Sequence, residues 1–280
     1  KELTVEEWAI ENFGKYLFLN FFKPYTEQFW KIKTSELSHR VIPSSKKMDF
    51  ANTLKHLLIK KYLEISRREP GKLSLVERES LPTYYPKKGF GEIANKIGKK
   101  ILENNGEIFT NCNAEKIYFD EKLIKVKTNK QDFFGDYLIS TIPLNNLTKK
   151  LNPAPPSSVI ECSQKLEYLC LILVYIFTKK KNVLNCQYCY FVNKPYNRIT
   201  EMNYFSKETS PEDENLLAVE ISCHFNDETW NLGEQKIFDL CMKSIKEDDL
   251  LSNNDVVEFK VIKVPNVYPI YTKDYDKNLA

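Results

Sequence analysis

An arginine in the second half of the chain is the side chain best suited to bind an anion. Only five of the 41 basic residues are arginines, and Arg198 is the one that begins a predicted strand among aromatic residues. A guanidinium group holds a carboxylate or a diphosphate through two parallel hydrogen bonds. Arg198 is therefore a candidate to bind such an anionic group. The alternative is an ordinary surface salt bridge.

A second candidate is a glycine-containing segment with the spacing of a dinucleotide-binding loop. Gly89, Gly91 and Ala94 fit the pattern G-x-G-x-x-A, in which glycines let the backbone approach a pyrophosphate at a helix N-terminus. That motif requires a buried parallel strand directly before it, whereas Pro82–Lys88 contains two prolines and two lysines. The sequence therefore favours an ordinary glycine turn before a helix.

Cys186 and Cys189 form a single C-x-x-C pair. A structural zinc site needs a second pair of ligands, and the nearest histidine, His224, has no partner at zinc-binding spacing. A thioredoxin-like dithiol would lie at the start of a helix, but the neighbouring tyrosines indicate a strand. Because side chains alternate along a strand, positions 186 and 189 should face opposite sides. This argues against both uses, and no metal is predicted.

The other candidates for acid–base or nucleophilic chemistry are scattered. His39, His56 and His224 lie far apart in the sequence, and lone histidines are more often structural than catalytic. Acidic neighbours such as Glu77 and Glu79 are typical of solvated loops. The sequence contains neither a G-x-S-x-G nor an H-E-x-x-H motif. Catalytic residues therefore remain unassigned.

Composition narrows the class of protein. The chain has 280 residues, of which 42% are hydrophobic and 28% charged, with a net charge of +3. These values are typical of a globular protein of one or two domains, and so small a charge does not indicate nucleic-acid binding. No apolar run approaches the roughly 20 residues of a membrane-spanning helix. The seven cysteines, an odd number, indicate free thiols in a reducing compartment, so we predict a cytoplasmic location.

The elements that must position these residues are first helical and later mainly strands, an order that indicates an α+β fold. A capping-box pattern at Thr4 and an apolar stripe predict a helix that ends near Pro24. Further helices are predicted over 25–30, 49–66, 89–104, 143–151 and 233–246. Strands are predicted over 107–110, 114–119, 123–128, 136–141, 166–178, 187–193, 199–206, 215–223 and 256–263. A left-handed cap is expected at Asn105 and Gly106, and a proline-rich linker over 152–158.

Four parts of the sequence resemble the FAD-dependent amine oxidase superfamily. The similarity is greatest to its protoporphyrinogen-oxidase-like and UDP-galactopyranose-mutase-like branch. The matching segments occur in the family's order and extend over nearly the whole chain. They are Glu7–Lys15 with Phe21–Trp30, Tyr85–Gly91 with Asn105–Ile108, Asp136–Leu144, and Val267–Tyr271.

The resemblance implies FAD as the cofactor and a small molecule as the substrate. In this family the strand that begins at Ala114 contacts the adenine end of FAD, and the pyrophosphate loop lies upstream of the segment around Gly89. Arg198 matches the position at which mutase-like relatives hold a substrate diphosphate. The predicted cofactor-binding residues are Ala114, Thr141 and Pro143, and the predicted substrate-binding residues are Arg198, Tyr204 and Tyr268.

The resemblance lacks both ends of the family pattern. The N-terminal β-G-x-G-x-x-G-α unit and the C-terminal glycine–arginine segment are absent from this sequence, so we expect an incomplete chain that binds FAD poorly and is inactive alone. The implied fold is a fragment of an α+β, FAD/NAD(P)-binding, two-domain flavoprotein with a mixed-sheet substrate domain and a partial FAD domain. The substrate domain is expected over 1–82 and 153–270. The middle of the FAD domain is expected over 83–152, with a return to it over 271–280.

Three functions of different classes remain open. The first is a FAD-dependent oxidoreductase that transfers a hydride from substrate to flavin. The second is a mutase-like isomerase of a nucleotide sugar that uses reduced FAD. The third is a binding scaffold without flavin. The sequence leaves the substrate, the electron acceptor and the oligomeric state undetermined.

Overall fold

The computed structural model describes residues 3–42, 84–119 and 123–279. The helix predicted over 49–66, together with His56, Glu77 and Glu79, lies outside these residues. Within the described parts, no helix combines the length and the apolar character that crossing a bilayer requires. Helices and strands are numbered in order along the described residues.

The capping box predicted at Thr4 is confirmed. The Thr4 hydroxyl accepts a hydrogen bond from the Glu7 backbone N–H at 3.1 Å, and the Glu7 carboxylate accepts one from the Thr4 N–H at 2.9 Å. Helix α1 (Val5–Leu17) begins at this cap and bends at Gly14, where φ is 80°. Glycine is suited to that position because it lacks the Cβ that makes positive φ unfavourable.

The helical path does not end near Pro24 as predicted. A π-helical turn (Phe18–Phe22) leads directly into α2 (Lys23–Trp30), and Pro24 lies in the first turn of α2. A proline is tolerated in a first helical turn because its fixed φ is already helical. The helix ends instead at Lys31, whose backbone is left-handed with φ 57°.

Helix α3 (Gly91–Glu103) ends in the left-handed cap that the sequence predicts. Asn105 has φ 60°, and the Gly106 N–H donates to the Ile101 carbonyl at 2.9 Å. A Cβ on Gly106 would lie 2.6 Å from the Ile101 side chain. The close return of the chain onto the helix therefore requires glycine at this position.

A four-stranded sheet follows α3, in the order β3-β2-β1-β4. Three strands are antiparallel, and the short β4 pairs in parallel with β1. The elements of this layer are β1 (Ala114–Phe119), β2 (Ile124–Thr128), β3 (Asp132–Gly135), α4 (Leu144–Leu147) and β4 (Leu151–Asn152).

The predictions of two strands in this layer are wrong. Neither 107–110 nor 136–141 belongs to a strand, and the helix predicted to run to Leu151 is only α4. Tyr137 and Ile139 are 94% and 90% exposed. A β pattern produces a strand only where another strand supplies hydrogen bonds, and among the described residues none pairs with these segments.

A five-stranded antiparallel sheet forms the larger layer, in the order β6-β7-β8-β5-β9. Most of the strands predicted here are confirmed. Three boundaries differ. The strand predicted over 187–193 ends at residue 190, a 3₁₀ turn (Met202–Tyr204) ends β7 early, and β9 continues beyond residue 263. The strands are β5 (Tyr168–Thr178), β6 (Tyr188–Tyr190), β7 (Arg198–Glu201), β8 (Asn215–Cys223) and β9 (Val256–Pro269).

One face of the large sheet is covered by a helix and forms the main core. The remaining helices are α5 (Ser157–Gln164), α6 (Glu228–Asn231), α7 (Glu234–Glu247) and α8 (Tyr275–Leu279). Ile237 and Ile245 of α7 are fully buried in one cluster with Ile172 of β5 and Val219 of β8. Because side chains alternate along each strand, the residues between these positions face the opposite side of the sheet.

A second, smaller core joins the N-terminal helices to the end of the large sheet. Val5 and Leu37 are buried with Leu169 of β5 and Ile270, just after β9. Isolated β-bridges pair residue 4 with 38 and residue 37 with 272. The first and last parts of the described chain therefore pack together.

Candidate functional site

A charged pair lies on the face of the large sheet opposite α7. Arg198 of β7 and Glu220 of β8 are cross-strand partners. The Arg198 Nε and Nη2 atoms donate to Glu220 Oε1 at 2.9 and 2.5 Å. The side chains are only 33% and 11% exposed. The salt bridge weighed as the alternative role of Arg198 is therefore present, but it is half-buried rather than on the surface.

Tyrosine side chains surround this pair. The rings of Tyr188 and Tyr190, both on β6, have their centroids 5.6 and 6.0 Å from the Arg198 guanidinium carbon, within the range of cation–π attraction. Tyr25 of α2 contacts the Tyr190 ring edge-on at 5.3 Å. A cation beside several aromatic rings can bind an anionic group that is attached to a planar one.

Hydrogen bonds of Gln28, three residues after Tyr25 in α2, fix the position of Tyr25. The Gln28 side-chain amide donates to the carbonyl oxygens of Phe191 and Tyr196 at 3.0 Å each, and its oxygen accepts from the Asn193 N–H at 2.7 Å. Gln28 thus connects α2 to the β6–β7 hairpin, and the same helix turn brings Tyr25 to Tyr190.

The electrostatics of the site favour a protonated tyrosine beside a permanent cation. Burial, with the neighbouring Tyr190, raises the pKa of Tyr25 to about 12, although Arg198 opposes this shift. Burial also raises the pKa of Tyr175 on β5, with a contribution from Glu220. Burial lowers the pKa of Arg198, but the hydrogen bonds and the charge of Glu220 outweigh it, so the net shift is upward.

Two further residues predicted to bind substrate lie in other surroundings. Tyr204 lines a cavity of about 880 Å³ beside the 3₁₀ turn after β7. The Tyr268 ring packs on Phe29 and Trp30, at centroid distances of 5.7 and 6.2 Å. Phe29 connects the two surroundings, since its ring packs on both Tyr25 and Tyr268, at centroid distances of 6.3 and 5.7 Å. No observation assigns substrate contacts to Tyr204 or Tyr268, so their roles remain predictions.

Comparison with known proteins identifies the family. The family model for flavin containing amine oxidoreductases matches residues 12–262, which is most of the chain. The chain belongs to this family. Membership indicates FAD as the cofactor. No curated protein sequence matches the chain.

Solved structures show the same fold at low sequence identity. A reduced UDP-galactopyranose mutase superposes with a TM-score of 0.73 at 19% identity. The match covers 99% of this chain and 58% of the mutase chain. A putative protoporphyrinogen oxidase from Exiguobacterium gives 0.68 at 13% identity, covering 100% and 58%. The predicted α+β flavoprotein fold is confirmed. The chain spans 58% of the length of these two structures.

The three residues predicted to hold FAD lie in the layer of the four-stranded sheet. The Ala114 carbonyl, at the start of β1, already accepts a hydrogen bond from Lys150 Nζ at 2.7 Å. Thr141 is exposed, and Pro143 precedes the single turn of α4. The roles of these three residues in FAD binding remain predictions.

The segment around Gly89 is an ordinary glycine turn. Residues 84–86 are not in a strand. The Lys88 N–H donates to the Glu92 carboxylate at 3.1 Å, so a carboxylate of the protein itself already occupies the N-terminal end of α3. Gly89 has φ 91°, which favours glycine, whereas a Cβ on Gly91 would meet nothing within 4 Å. The glycine pattern therefore belongs to a turn before a helix and not to a phosphate-binding loop.

The prediction that Cys186 and Cys189 face opposite sides is wrong. Their sulfur atoms are 3.2 Å apart. The alternation argument fails because Cys186 lies in the irregular segment before β6, where the chain has not yet become a strand. Among the described residues, no group of three or more His, Cys, Asp or Glu side chains is arranged to hold a metal ion.

The two described histidines have structural partners. His39 Nδ1 lies 3.0 Å from the Leu3 carbonyl, and His224 Nε2 lies 3.4 Å from the Lys31 carbonyl. The first contact joins the 3₁₀ turn at His39 to the segment before α1, and the second joins the segment after β8 to the end of α2. This agrees with the structural role that the sequence favours for lone histidines.

Sequence reasoning missed Glu220, Tyr25 and Tyr190 as site residues. A signal for Glu220 exists, because it is the only charged residue in the otherwise apolar and small-residue strand β8. A carboxylate in a buried strand requires a hydrogen-bonding or positively charged partner. Because the sequence contains few arginines, few residues could form a two-donor ion pair with it. Tyr25 and Tyr190 carry no comparable signal, since their proximity depends on how α2 packs on the sheet.

Proposed function

We propose that this protein is a FAD-dependent oxidoreductase that takes a hydride from a small-molecule substrate. The observation that carries the proposal is the Arg198–Glu220 pair framed by tyrosines on one face of the large sheet. Together with family membership, it supports assigning this sheet to substrate binding. Residues 1–82 and 153–270 then form the substrate domain, and residues 83–152 form part of the FAD domain.

In this proposal the chain's own residues bind and orient substrate. Two N–H groups of Arg198 are used by Glu220, and a guanidinium carries five. Arg198 therefore retains donors for one polar group of the substrate, while the tyrosine rings pack against its apolar part. The Glu220 charge makes the pair neutral overall, which favours a polar or zwitterionic group over a strongly anionic one.

An absorption spectrum of the purified protein tests the flavin. Oxidised flavin gives bands near ~370 and ~450 nm, as expected of a flavoprotein. Bands that bleach when a candidate substrate is added anaerobically would support the oxidoreductase. Because the 280-residue chain alone is expected to bind FAD poorly, the test uses the full-length protein. Absence of the bands there, with no binding of added FAD, would contradict both flavin functions and favour the flavin-free scaffold.

A second candidate is a mutase-like function on a nucleotide sugar. The specific observation is that the Arg198 cation lies beside two neighbouring aromatic rings, an arrangement suited to a diphosphate next to a planar base. The fold similarity to a UDP-galactopyranose mutase is compatible with it.

Arg198→Ala distinguishes the two candidates when binding of a UDP-sugar is measured by calorimetry. The mutase-like function predicts at least about a tenfold loss of affinity, since a charge-assisted pair contributes about 1.5–3 kcal/mol. The control is Arg40→Ala, which removes an exposed guanidinium paired with Asp276 elsewhere on the chain. Absence of UDP-sugar binding by the unaltered protein would contradict the mutase-like function alone.

We also propose a cytoplasmic location. All seven cysteines lie in the described residues and are free, and three of them are buried. Free thiols in these numbers are typical of a reducing compartment. Fractionation of cells that express the protein, followed by immunoblotting, tests this location.

A further inference from the structure

The Cys186 and Cys189 thiols are close enough for covalent chemistry. Their sulfur atoms lie 3.2 Å apart, and both cysteines are partly exposed. A disulfide bond is about 2.05 Å long, so closing it needs a movement of about 1.2 Å. Rotations about the side-chain bonds of two half-exposed residues can supply such a movement without moving a strand.

The segment before β6 is held in this geometry by a buried carboxylate. Glu201, only 1% exposed, accepts hydrogen bonds from the Val183 and Leu184 N–H groups at 3.1 and 2.7 Å. The Glu201 N–H in turn donates to the Gln187 carbonyl at 2.8 Å. Cys186 lies between these attachment points, and the left-handed backbone of Asn185, at φ 55°, turns the chain toward Cys189.

The hydrogen bond between the thiols gives them different roles. Burial and the hydrogen bond with Cys186 raise the pKa of Cys189 to about 11. Cys189 therefore stays protonated at neutral pH. Either thiol can donate in the contact between the two sulfur atoms, and the Cys186 thiol also donates to the Tyr188 carbonyl at 3.5 Å. Cys186 also lies outside the strand, whereas Cys189 is held in β6 opposite Ile199. This arrangement favours Cys186 as the sulfur that reacts first and Cys189 as the one that resolves the product.

We propose that Cys186 and Cys189 are a redox-active dithiol that a peroxide converts into an intramolecular disulfide. The Cys186 sulfur attacks a peroxide oxygen, the O–O bond breaks, and a sulfenic acid and one water form. The Cys189 sulfur then attacks the sulfenic sulfur, the S–O bond breaks, and a second water leaves. Two thiols lose two electrons and two protons, and one hydrogen peroxide becomes two waters.

The disulfide would act on the charged site through β6. Cys189 lies between Tyr188 and Tyr190, whose rings contact Arg198. Linking Cys189 to the preceding segment fixes the start of this three-residue edge strand. The reaction itself does not depend on the proposed function, because it requires only the two thiols and the oxidant.

Peptide mapping of the whole purified chain tests the proposal. The protein is treated with one equivalent of hydrogen peroxide, free thiols are alkylated, and the peptides are analysed by mass spectrometry before and after reduction with dithiothreitol. We expect a peptide holding both cysteines that has lost two hydrogen atoms and escapes alkylation, and that regains both thiols on reduction. Buried Cys223 and Cys241, whose pKa values burial raises to about 12, serve as unreactive internal references.

Conservative variants give the matched control. Cys189→Ser should leave Cys186 as a sulfenic acid that dimedone traps, and Cys186→Ser should leave Cys189 reduced. Cys112→Ser should form the disulfide normally, since the equally half-buried Cys112 sulfur contacts the Thr128 hydroxyl instead. Circular dichroism confirms that each variant folds.

Two results would overturn the proposal. One is alkylation of both Cys186 and Cys189 after peroxide treatment of the unaltered protein, which needs no variant to interpret. The other is oxidation of either cysteine to a sulfinic acid with no linked species. Hydrogen exchange gives an independent measurement, in which slower exchange at the 187–190 amides after oxidation supports the link and unchanged exchange contradicts its effect on β6.

Discussion

At the scale of single residues, the Arg198–Glu220 pair is the feature with the clearest energetic consequence. Glu220→Gln keeps the shape of the side chain but leaves the half-buried Arg198 charge uncompensated. Removing one partner of such a pair costs more than the pair contributes, because the remaining charge stays desolvated. We expect the free energy of unfolding to fall by about 1–3 kcal/mol, measured by urea denaturation.

An exposed pair in the small sheet is the control for this prediction. Lys125 and Asp132 are 2.7 Å apart with side chains 38% and 37% exposed. Asp132→Asn should cost less than about 1 kcal/mol, as is usual for surface ion pairs. Equal losses in Glu220→Gln and Asp132→Asn would show that the Arg198 site is no more desolvated than the surface.

Tyr25 gives a prediction about alkaline pH. Its pKa is raised from 10.0 to about 12 in the folded protein, so between these values the unfolded chain loses this proton and the folded chain keeps it. The folded state then binds more protons, and stability falls as pH rises through that window. Below about pH 10 the shift contributes nothing to the pH dependence.

Tyr25→Phe tests this dependence, because it removes the ionisable group and keeps the ring. We expect stability between about pH 10 and 12 to fall less steeply in the variant, by up to about 1.4 kcal/mol per pH unit. Tyr16→Phe is the control, since Tyr16 is 79% exposed. Identical pH slopes for the unaltered protein and Tyr25→Phe would contradict the burial of this phenol.

At the scale of elements, the turn into α3 separates a structural glycine from a dispensable one. Gly89→Ala places a Cβ at φ 91°, where non-glycine residues are strained, and should cost about 1–2 kcal/mol. Gly91→Ala adds a methyl group where nothing lies within 4 Å and should stabilise α3 by up to about 1 kcal/mol. Thermal unfolding of the two variants provides the measurement. Equal destabilisation by both would instead indicate that the backbone at Gly91 needs close approach to another group.

At the scale of the whole molecule, the two sheets differ in how completely they are covered. The large sheet has a core of fully buried side chains, whereas α3 presents Ile93, Ile97 and Ile101 at 46%, 57% and 40% exposure. The segment after β3 is equally open, with Ile139 90% exposed. In this chain the layer assigned to the FAD domain therefore has apolar surface that no described residue covers.

Substitution of one exposed and one buried isoleucine by aspartate measures this difference in coverage. Ile139→Asp should change the free energy of unfolding of the 280-residue chain by no more than about 0.5 kcal/mol. Ile117→Asp in β1 should cost at least about 3 kcal/mol, because this side chain is 3% exposed. A large loss in Ile139→Asp would show that residues 136–141 are covered in solution.

The sequence by itself determined those structural elements that depend only on residues close to one another along the chain. The Thr4 capping box, the left-handed Asn105 cap and the apolar run of β5 each depend on neighbours along the chain, and each was predicted correctly. The family likewise followed from segments whose order and spacing are properties of the sequence. These features need no knowledge of what packs against them.

Tertiary structure decided whatever depends on a partner distant in sequence. A strand over 136–141 was predicted from its pattern, but no strand among the described residues pairs with it. The Cys186–Cys189 contact depends on where β6 begins, and Glu201 fixes that through bonds to a different segment. Arg198 could be singled out from its residue type, but its ion pair with Glu220 and its tyrosine neighbours arise from strand register and from the packing of α2. Register and packing are set by long-range burial and hydrogen bonding, which residue spacing does not encode.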